Sequence, residues 1–361
     1  MKKRYWFLGG LIMAAISTVA LTSATTDEKG KFVNSEKAYE TDASNLWEII
    51  KAYTVSKRQS AQPNNALPLQ PLTASKITQD EGDRIYRLGH STILMKLDDK
   101  LVLTDPVLSE RASPVQWAGP KRFHPSPISI DEMPQIDIVV ISQDHYDHLD
   151  KHAVLALAEK VKHFVTPLKV GQTMVNWGVD AAKITELDWW ESVSFEGIEF
   201  VATPAQHFSG RGLLDRNQTL WASWVIDSGS RKLFFSGDSG YFSGFKQIGD
   251  KYGPFDVTMV ETGAYNDLWS DIHMMPEHSL QAHLDLRGQI MMPIHNGTFD
   301  LSLHDWFEPL ERIQALAKQN DVTLLTPVFG QSVSLDDAAQ NPKWWREPAL
   351  GYKTDLLAQS Q

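Results

Sequence analysis

The chain has no cysteine. That excludes disulfides, thiolate metal sites, a cysteine nucleophile and a lipid anchor built on a lipobox cysteine. It also lacks any surplus of positive charge. Thirty-four Lys and Arg face 45 Asp and Glu, for a formal net charge of −11. Such a chain has no electrostatic footprint for nucleic acid, and no nucleic-acid partner is expected. No G-x-S-x-G elbow is present, so no serine nucleophile is announced. A Ser-His-Asp triad can be drawn on paper, but no spacing favours it. Fixed-period repeats are absent too. What is there is ordinary: 42% hydrophobic and 22% charged residues in 361, enough for one large domain or two modest ones with a real core.

The N-terminus stands apart. Lys2, Lys3 and Arg4 precede an apolar run that ends in small residues at Thr22-Ser23-Ala24. This is the layout of an export signal cleaved after Ala24. The run from Tyr5 to Ala24 is also about 20 residues, the length of an uncleaved membrane anchor. Either way the expected location is exported, in the periplasm or at the cell envelope. Residues 25–75 read as a polar, then Pro- and Asn-rich lead-in with one helix near Ala43–Ala52. The main domain is expected over 76–335, with a polar tail of no assigned structure over 336–361.

From Arg84 onward, short apolar runs recur, among them "KLVLTDP", "IDIVVIS", "GIEFVATPA", "KLFFSGD", "DVTMVETG" and "QIMMPIH". Their length and composition are those of strands. "DKHAVLALAEKV" (150–161) and "PEHSLQAHLDLR" (276–287) read as helices, the second opening on Pro276 and stopping at Gly288. Strands arrive in two batches, each followed by helices, which predicts one α/β domain of two packed sheets.

The strand ends share a habit. Asp105, the stretch Gln143–His148, His207, Asp238 and His295 each follow an apolar run. Strand ends are where a rigid sheet converges side chains from distant sequence on one cleft. Imidazole and carboxylate suit Zn²⁺, and also Fe or Mn. A loop carrying His145, Asp147 and His148 can direct alternate side chains to two metals, and Asp238 is placed to bridge. Two close dications would hold a water of lowered pKa as nucleophile.

These motifs resemble the metallo-β-lactamase fold superfamily. "LGHSTILMKLDDKLVLTDPVLSERASPVQWAGPKRF", "DHYDHLD", "PAQHFSGRGLLDRNQTLWASWVI", "GDSGYF", "ETGAYN" and "HNGTF" are similar to its N-acyl-phosphatidylethanolamine-hydrolysing phospholipase D-like branch, bacterial relatives included. The likeness spans residues 84–335. It implies an α/β fold, the αβ/βα four-layer sandwich, with two zinc ions and phosphodiester hydrolysis of a phospholipid-like substrate. Carried over by position, His145 and His207 would hold the first metal. Asp147, His148 and His295 would hold the second, with Asp238 shared. Gln143 stands where the family has a first histidine. Its carboxamide oxygen is a poorer zinc donor, so the first site should be weaker, with Mn²⁺ or Fe²⁺ as alternatives. Asp147 could double as a proton relay, and His273 resembles a position near the substrate phosphate. These two are the candidate catalytic residues.

Asp105 is expected to orient the metal loop. His90 is left open between facing the site and pinning its strand. Arg211 and Arg216 could meet a phosphate or a carboxylate. Trp189, Trp190, Trp221, Trp224 and Trp269 could line an acyl groove, touch a membrane or pack the core. His278, His283, His124, His152, His163 and His304 read as surface, with His304 the first exception to expect. A homodimer is compatible with the sequence, but no protein partner is implied. Two other functions stay open: a lactonase or other carbonyl-directed hydrolase of the same fold, and a non-catalytic envelope protein that binds metal or lipid.

Overall fold

The strand Ile136–Val140 shows how the layers arise. Ile138 and Val140 turn to one side and join Phe200, Trp224, Phe235 and Met259 in the core between two sheets. Val139 and Ile141 turn to the other side and meet Leu149, Val154, Leu157 and Met174 beneath helices. A strand apolar on both faces is one buried on both faces, which here means a helix layer outside and a second sheet inside. Each fully buried Val or Ile contributes about 1.5–3 kcal/mol.

This is a computed structural model, describing residues 21–39, 43–56 and 58–350. Its two large sheets have seven strands each. The first runs in the order Ser332–Ser334, Arg84–Gly89, Thr92–Leu97, Lys100–Thr104, Ile136–Val140, Val161–Pro167, Ile184–Leu187. The second runs Thr323–Leu324, Gly288–Ile294, Phe255–Glu261, Lys232–Phe235, Ser223–Asp227, Ile198–Thr203, Ser192–Phe195. In each sheet an antiparallel meander gives way to parallel strands. Parallel neighbours need crossovers, supplied outside the first sheet by helices Lys151–Leu157 and Val170–Trp177. Helices Gly244–Tyr252, Pro276–Asp285 and Glu308–Gln319 cover the second. The result is the helix–sheet–sheet–helix sandwich implied above.

The two flanks of the domain are tied in. The early segment pairs Thr25–Thr26 with Phe32–Val33 and then straps across the second sheet. Asn34 and His207 exchange two hydrogen bonds, Nδ2 to the His207 carbonyl at 2.8 Å and the His207 N–H to Oδ1 at 2.9 Å. Gln206 likewise reaches the Lys37 carbonyl at 2.6 Å. At the other end, Ser332–Ser334 pairs with Arg84–Gly89, and Trp344 and Trp345 bury against Leu67, Trp306, Phe307 and Phe329. The polar tail therefore packs through Ala349. Residues 1–20 of the leader expected over 1–24, and residues 351–361, lie outside the described residues. Among the described residues no helix is long and apolar enough to cross a membrane.

Two surface assignments need correction. His283 is 2% exposed, because Thr258 Oγ1 on the neighbouring strand meets its Nδ1 at 2.7 Å. His124 is buried as well, stacked on Phe329 and bonded through Nε2 to Thr298 Oγ1 at 3.1 Å. In both cases a hydroxyl distant in sequence satisfies the imidazole, so burial carries no unpaired polar cost. Trp189, Trp221 and Trp224 are core residues, and Trp269 is buried.

Candidate metal centre

The metal loop follows Ile136–Val140 and ends at Asp150, the N-cap of helix Lys151–Leu157. Asp150 Oδ1 accepts from the His152 and Ala153 N–H groups, and Oδ2 accepts from Leu108 and Ser109. One carboxylate thus starts the helix and pins it to the loop after Asp105. Arg211 also serves the loop, with its guanidinium on the Asp144 and Leu149 carbonyls and stacked on Tyr146. That is neither of the two partners foreseen for it. Arg216 stacks on Phe208, 4.6 Å from the ring centroid.

Asp105 is fully buried and accepts three hydrogen bonds. Oδ1 takes the Ser142 N–H at 2.7 Å, and Oδ2 takes the Ser142 hydroxyl at 2.6 Å and His148 Nδ1 at 2.7 Å. A carboxylate only accepts, so His148 carries its hydrogen on Nδ1 and presents Nε2 to the cleft. His207 is set the same way, with Nδ1 3.0 Å from the Ile272 carbonyl. Two glycines permit the close approach of these loops. A Cβ on Gly237 would lie 2.6 Å from Ser142 Cβ, and one on Gly263 would lie 2.1 Å from the His295 carbonyl. Asp105 and His295 themselves hold positive φ, +34° and +62°, a strain that the surrounding packing maintains.

The predicted strand-end residues come together. His148 Nε2 lies 2.9 Å from Asp238 Oδ2, and His295 Nε2 lies 3.0 Å from Asp238 Oδ1 and 3.3 Å from Asp147 Oδ2. His207 Nε2 is 3.6 Å from Asp238 Oδ2 and 3.3 Å from His145 Nδ1. Gln143 Nε2 donates to Asp238 Oδ2 at 2.7 Å. His90 faces the same cleft, its Nε2 3.2 Å from Asp147 Oδ2. The donor atoms gather as His145, His207 and Asp238 on one side and His90, Asp147, His148 and His295 on the other. His163 and His304 lie apart from the cluster, bonded to Thr185 and to the Asp305 carbonyl.

Glu261 was not anticipated. It ends strand Phe255–Glu261, is fully buried, accepts the Ser239 N–H at 2.6 Å and pairs with His273 Nδ1. The His273 ring packs edge-on against His207 and tilted against His295.

Charge in the cleft is divided. Burial alone would lower the His148 imidazole, but Asp238, Asp147 and Asp105 outweigh it and raise it well above the usual value. Burial likewise opposes His295, yet Asp238, Asp147 and Glu261 carry it up to about 10. Burial would raise Asp238 and Asp147; the facing imidazoles hold both well below the carboxylate range. On the other side, burial keeps His145 and His207 low and neutral. The His148–Asp147–His295 side thus has the stronger negative field.

The donor set suits divalent cations. Among its buried polar atoms, His148 Nε2, Asp238 Oδ1 and Gln143 Oε1 have no aligned hydrogen-bond partner. His148 Nε2 and Asp238 Oδ2 are close enough to bond but do not point at each other, as ligands aimed at a common centre would. Hard oxygen and borderline imidazole donors fit Zn²⁺, Fe or Mn.

Comparison with known proteins agrees. A family model described as "Beta-lactamase superfamily domain" matches residues 100–296. An uncharacterized protein of Mycobacterium tuberculosis is 42% identical over 88% of this chain and 86% of its own. The N-acyl-phosphatidylethanolamine-hydrolyzing phospholipase D 1 of Caenorhabditis elegans is 36% identical over 70% of this chain and 75% of its own. The outer membrane protein RomA of Klebsiella pneumoniae is 52% identical over 26% of this chain and 70% of its own. Among solved structures, an isothiocyanate hydrolase from Delia radicum gut bacteria aligns with a TM-score of 0.55 at 18% identity, over 70% of this chain and 98% of that one. It shares the fold. The chain is a metal-dependent hydrolase of the metallo-β-lactamase fold superfamily, and belongs with the relatives of the N-acyl-phosphatidylethanolamine-hydrolysing phospholipases D.

Proposed function

We propose that the protein is a phosphodiesterase of phospholipase D type, acting on N-acyl-phosphatidylethanolamine-like lipids at the cell envelope. The observation that carries this is the 36% identity to a phospholipase D across three-quarters of that enzyme's length. In this reading His145, His207 and Asp238 would hold one cation, with Gln143 Oε1 as a weaker fourth donor. Asp147, His148 and His295, together with Asp238, would hold the other; zinc is the first choice for both. When bound, such ions lower the pKa of water and neutralise charge on phosphoryl oxygens.

The chain's own part is orientation and proton handling. Asp105 keeps His148 Nε2 bare for the cleft, and the Ile272 carbonyl does the same for His207. Glu261 engages His273 Nδ1, leaving Nε2 to protonate the departing alcohol. Asp147, linked to both His90 and His295, orients these rings toward the centre and is the second candidate for moving a proton.

Lipid access is supported by the rim. A cavity of about 470 Å³ beside the metal loop is lined by Tyr146, Trp177, Arg111, Lys151 and Arg211. Next to its lining residues in sequence, Leu213 is 100%, Leu214 87% and Trp117 82% exposed. Apolar tips beside cations suit a phospholipid surface. The export pattern of residues 1–24 and the partial likeness to an outer membrane protein support an envelope location.

The test is to load the protein with Zn²⁺, Mn²⁺ or Fe²⁺ and present vesicles containing N-acyl-phosphatidylethanolamine. Release of phosphatidic acid and N-acylethanolamine, abolished by Asp147→Ala, is expected. Faster turnover of a simple lactone than of any phosphodiester would overturn the reading. So would a purified protein that retains no transition metal.

A further inference from the structure

Beside His90 and His295 lies a narrow cavity with about 10 Å³ of free room, what one water needs. His90, His295, His304 and Trp306 line it. Each of these four residues has one buried polar atom without a hydrogen-bond partner: His90 Nδ1, His295 Nδ1, His304 Nε2 and Trp306 Nε1.

Their hydrogens can be assigned from the partners on the opposite ring positions. His90 Nε2 meets Asp147 Oδ2, which only accepts, so Nε2 carries the hydrogen and Nδ1 is an acceptor in the neutral ring. His304 Nδ1 meets the Asp305 carbonyl at 2.9 Å, so its Nε2 is an acceptor as well. His295 turns Nε2 toward Asp238 and Asp147, where a cation would take its lone pair, so Nδ1 carries a hydrogen. The Trp306 indole N–H only donates. The residues that line this space thus offer two donors and two acceptors, the complement of a water molecule's own two and two.

We infer that this cavity is a built site for one ordered water, which accepts from His295 and Trp306 and donates to His90 and His304. The water fixes which nitrogen each of the two cluster histidines turns to the cleft. It does for His295 what Asp105 does for His148, because the facing carboxylate, Glu261 Oε1, lies 4.0 Å from His295 Nδ1, too far to take that hydrogen itself. A ring whose outer nitrogen is satisfied cannot flip or change tautomer without breaking that bond, and partners of this kind tune metal affinity about 10–100-fold. His304 and Trp306 are therefore positioning residues, acting on the centre through the water. The inference rests on the proposed metal centre for its consequence and for the His295 tautomer; the His90, His304 and Trp306 partners are assigned without it.

The test uses the full chain. A high-resolution crystal structure should show one density peak within hydrogen-bond reach of all four atoms. Nitrogen-15 NMR should report His295 as the Nδ1–H tautomer in the Zn²⁺-loaded protein. His304→Phe keeps the stack on Tyr265, and Trp306→Phe keeps an aromatic ring in its core; each removes one partner of the water. Each variant, checked for an unchanged melting profile, should weaken Zn²⁺ binding on the His295 side about tenfold, with the His207 side unaffected. An empty cavity, a water held by fewer than three of the atoms, or an Nε2–H His295 in the loaded protein would overturn the inference. Should either variant unfold, the wild-type density and tautomer decide. Failure to hydrolyse phosphodiesters would sink the functional reading while leaving these readouts unchanged.

Discussion

Replacing Asp105 with Asn changes one atom and, by the geometry above, should disable one side of the centre. The Asn side chain has the same shape, and its oxygen can still take the Ser142 N–H now held at 2.7 Å. The amide nitrogen then faces His148 Nδ1, where Oδ2 had accepted at 2.7 Å. A donor now meets a donor. His148 resolves the conflict by moving its hydrogen to Nε2, the atom that should offer a lone pair to the cation. The Ser142 hydroxyl, 3.3 Å from Nδ1, is a poor substitute. A buried hydrogen bond to a charged acceptor contributes about 1.5–3 kcal/mol. At about 1.4 kcal/mol per tenfold, that is roughly 10–100-fold in affinity, the range seen when such orienting partners of metal-bound histidines are lost. Competition against a chromophoric chelator, resolved into two binding steps, measures this. The step assigned to Asp147, His148 and His295 should weaken by that factor, and the His145–His207 step by less than twofold. Equal weakening of both steps, or no change in either, would refute the account of how His148 is held.

Other outcomes follow from the same structure. Gln143→His supplies a third imidazole to the His145–His207 side and should tighten its Zn²⁺ affinity at least tenfold, leaving the other step unchanged in the same titration. His283 is buried with Thr258, and burial lowers it from 6.5 to about 4. The unfolded chain takes up this proton first, so His283 contributes full stability above pH 6.5 and loses it as pH falls toward 4. By pH 5 about 2 kcal/mol should be gone, and His283→Gln should flatten that acid limb in urea titrations of chelated protein. Arg346 makes a bidentate pair with Glu311, which is 1% exposed. Arg346→Ala should cost about 3 kcal/mol in chemical denaturation, with metal stoichiometry unchanged.

Much of the centre could be read from strand ends because the chemistry sits where period-two apolar runs stop. Asp105, the metal loop, His207, Asp238 and His295 all follow that pattern, and the fold brings them within hydrogen-bond range of one another. Glu261 obeyed it as well, ending "DVTMVE", and applying the pattern to every such run would have found it. What the sequence could not reveal was pairing between distant residues. His283 reads as surface until Thr258 is seen beside it, and His90 is ambiguous until Asp147 is placed. The antiparallel edge formed by Ser332–Ser334 depends on contacts some 245 residues apart, as in Ser332 opposite Tyr86. Local propensity carries no information about that register. The polar composition after residue 336 likewise hid two buried tryptophans, whose partners lie near residues 67 and 306.

The strap that precedes the domain ties the centre to the segment expected to be an export signal or anchor. Ten residues separate Ala24, where the export signal is expected to end, from Asn34, which clasps the His207 backbone. Fully stretched, ten residues reach only about 33–36 Å. If residues 1–24 stay in a bilayer, these ten residues are a short leash that keeps the His207 side of the cleft close to the lipid. If the leader is cut away, the new N-terminus lies at the root of the strap, and trimming ten residues further would remove Asn34 and both hydrogen bonds it exchanges with the His207 backbone.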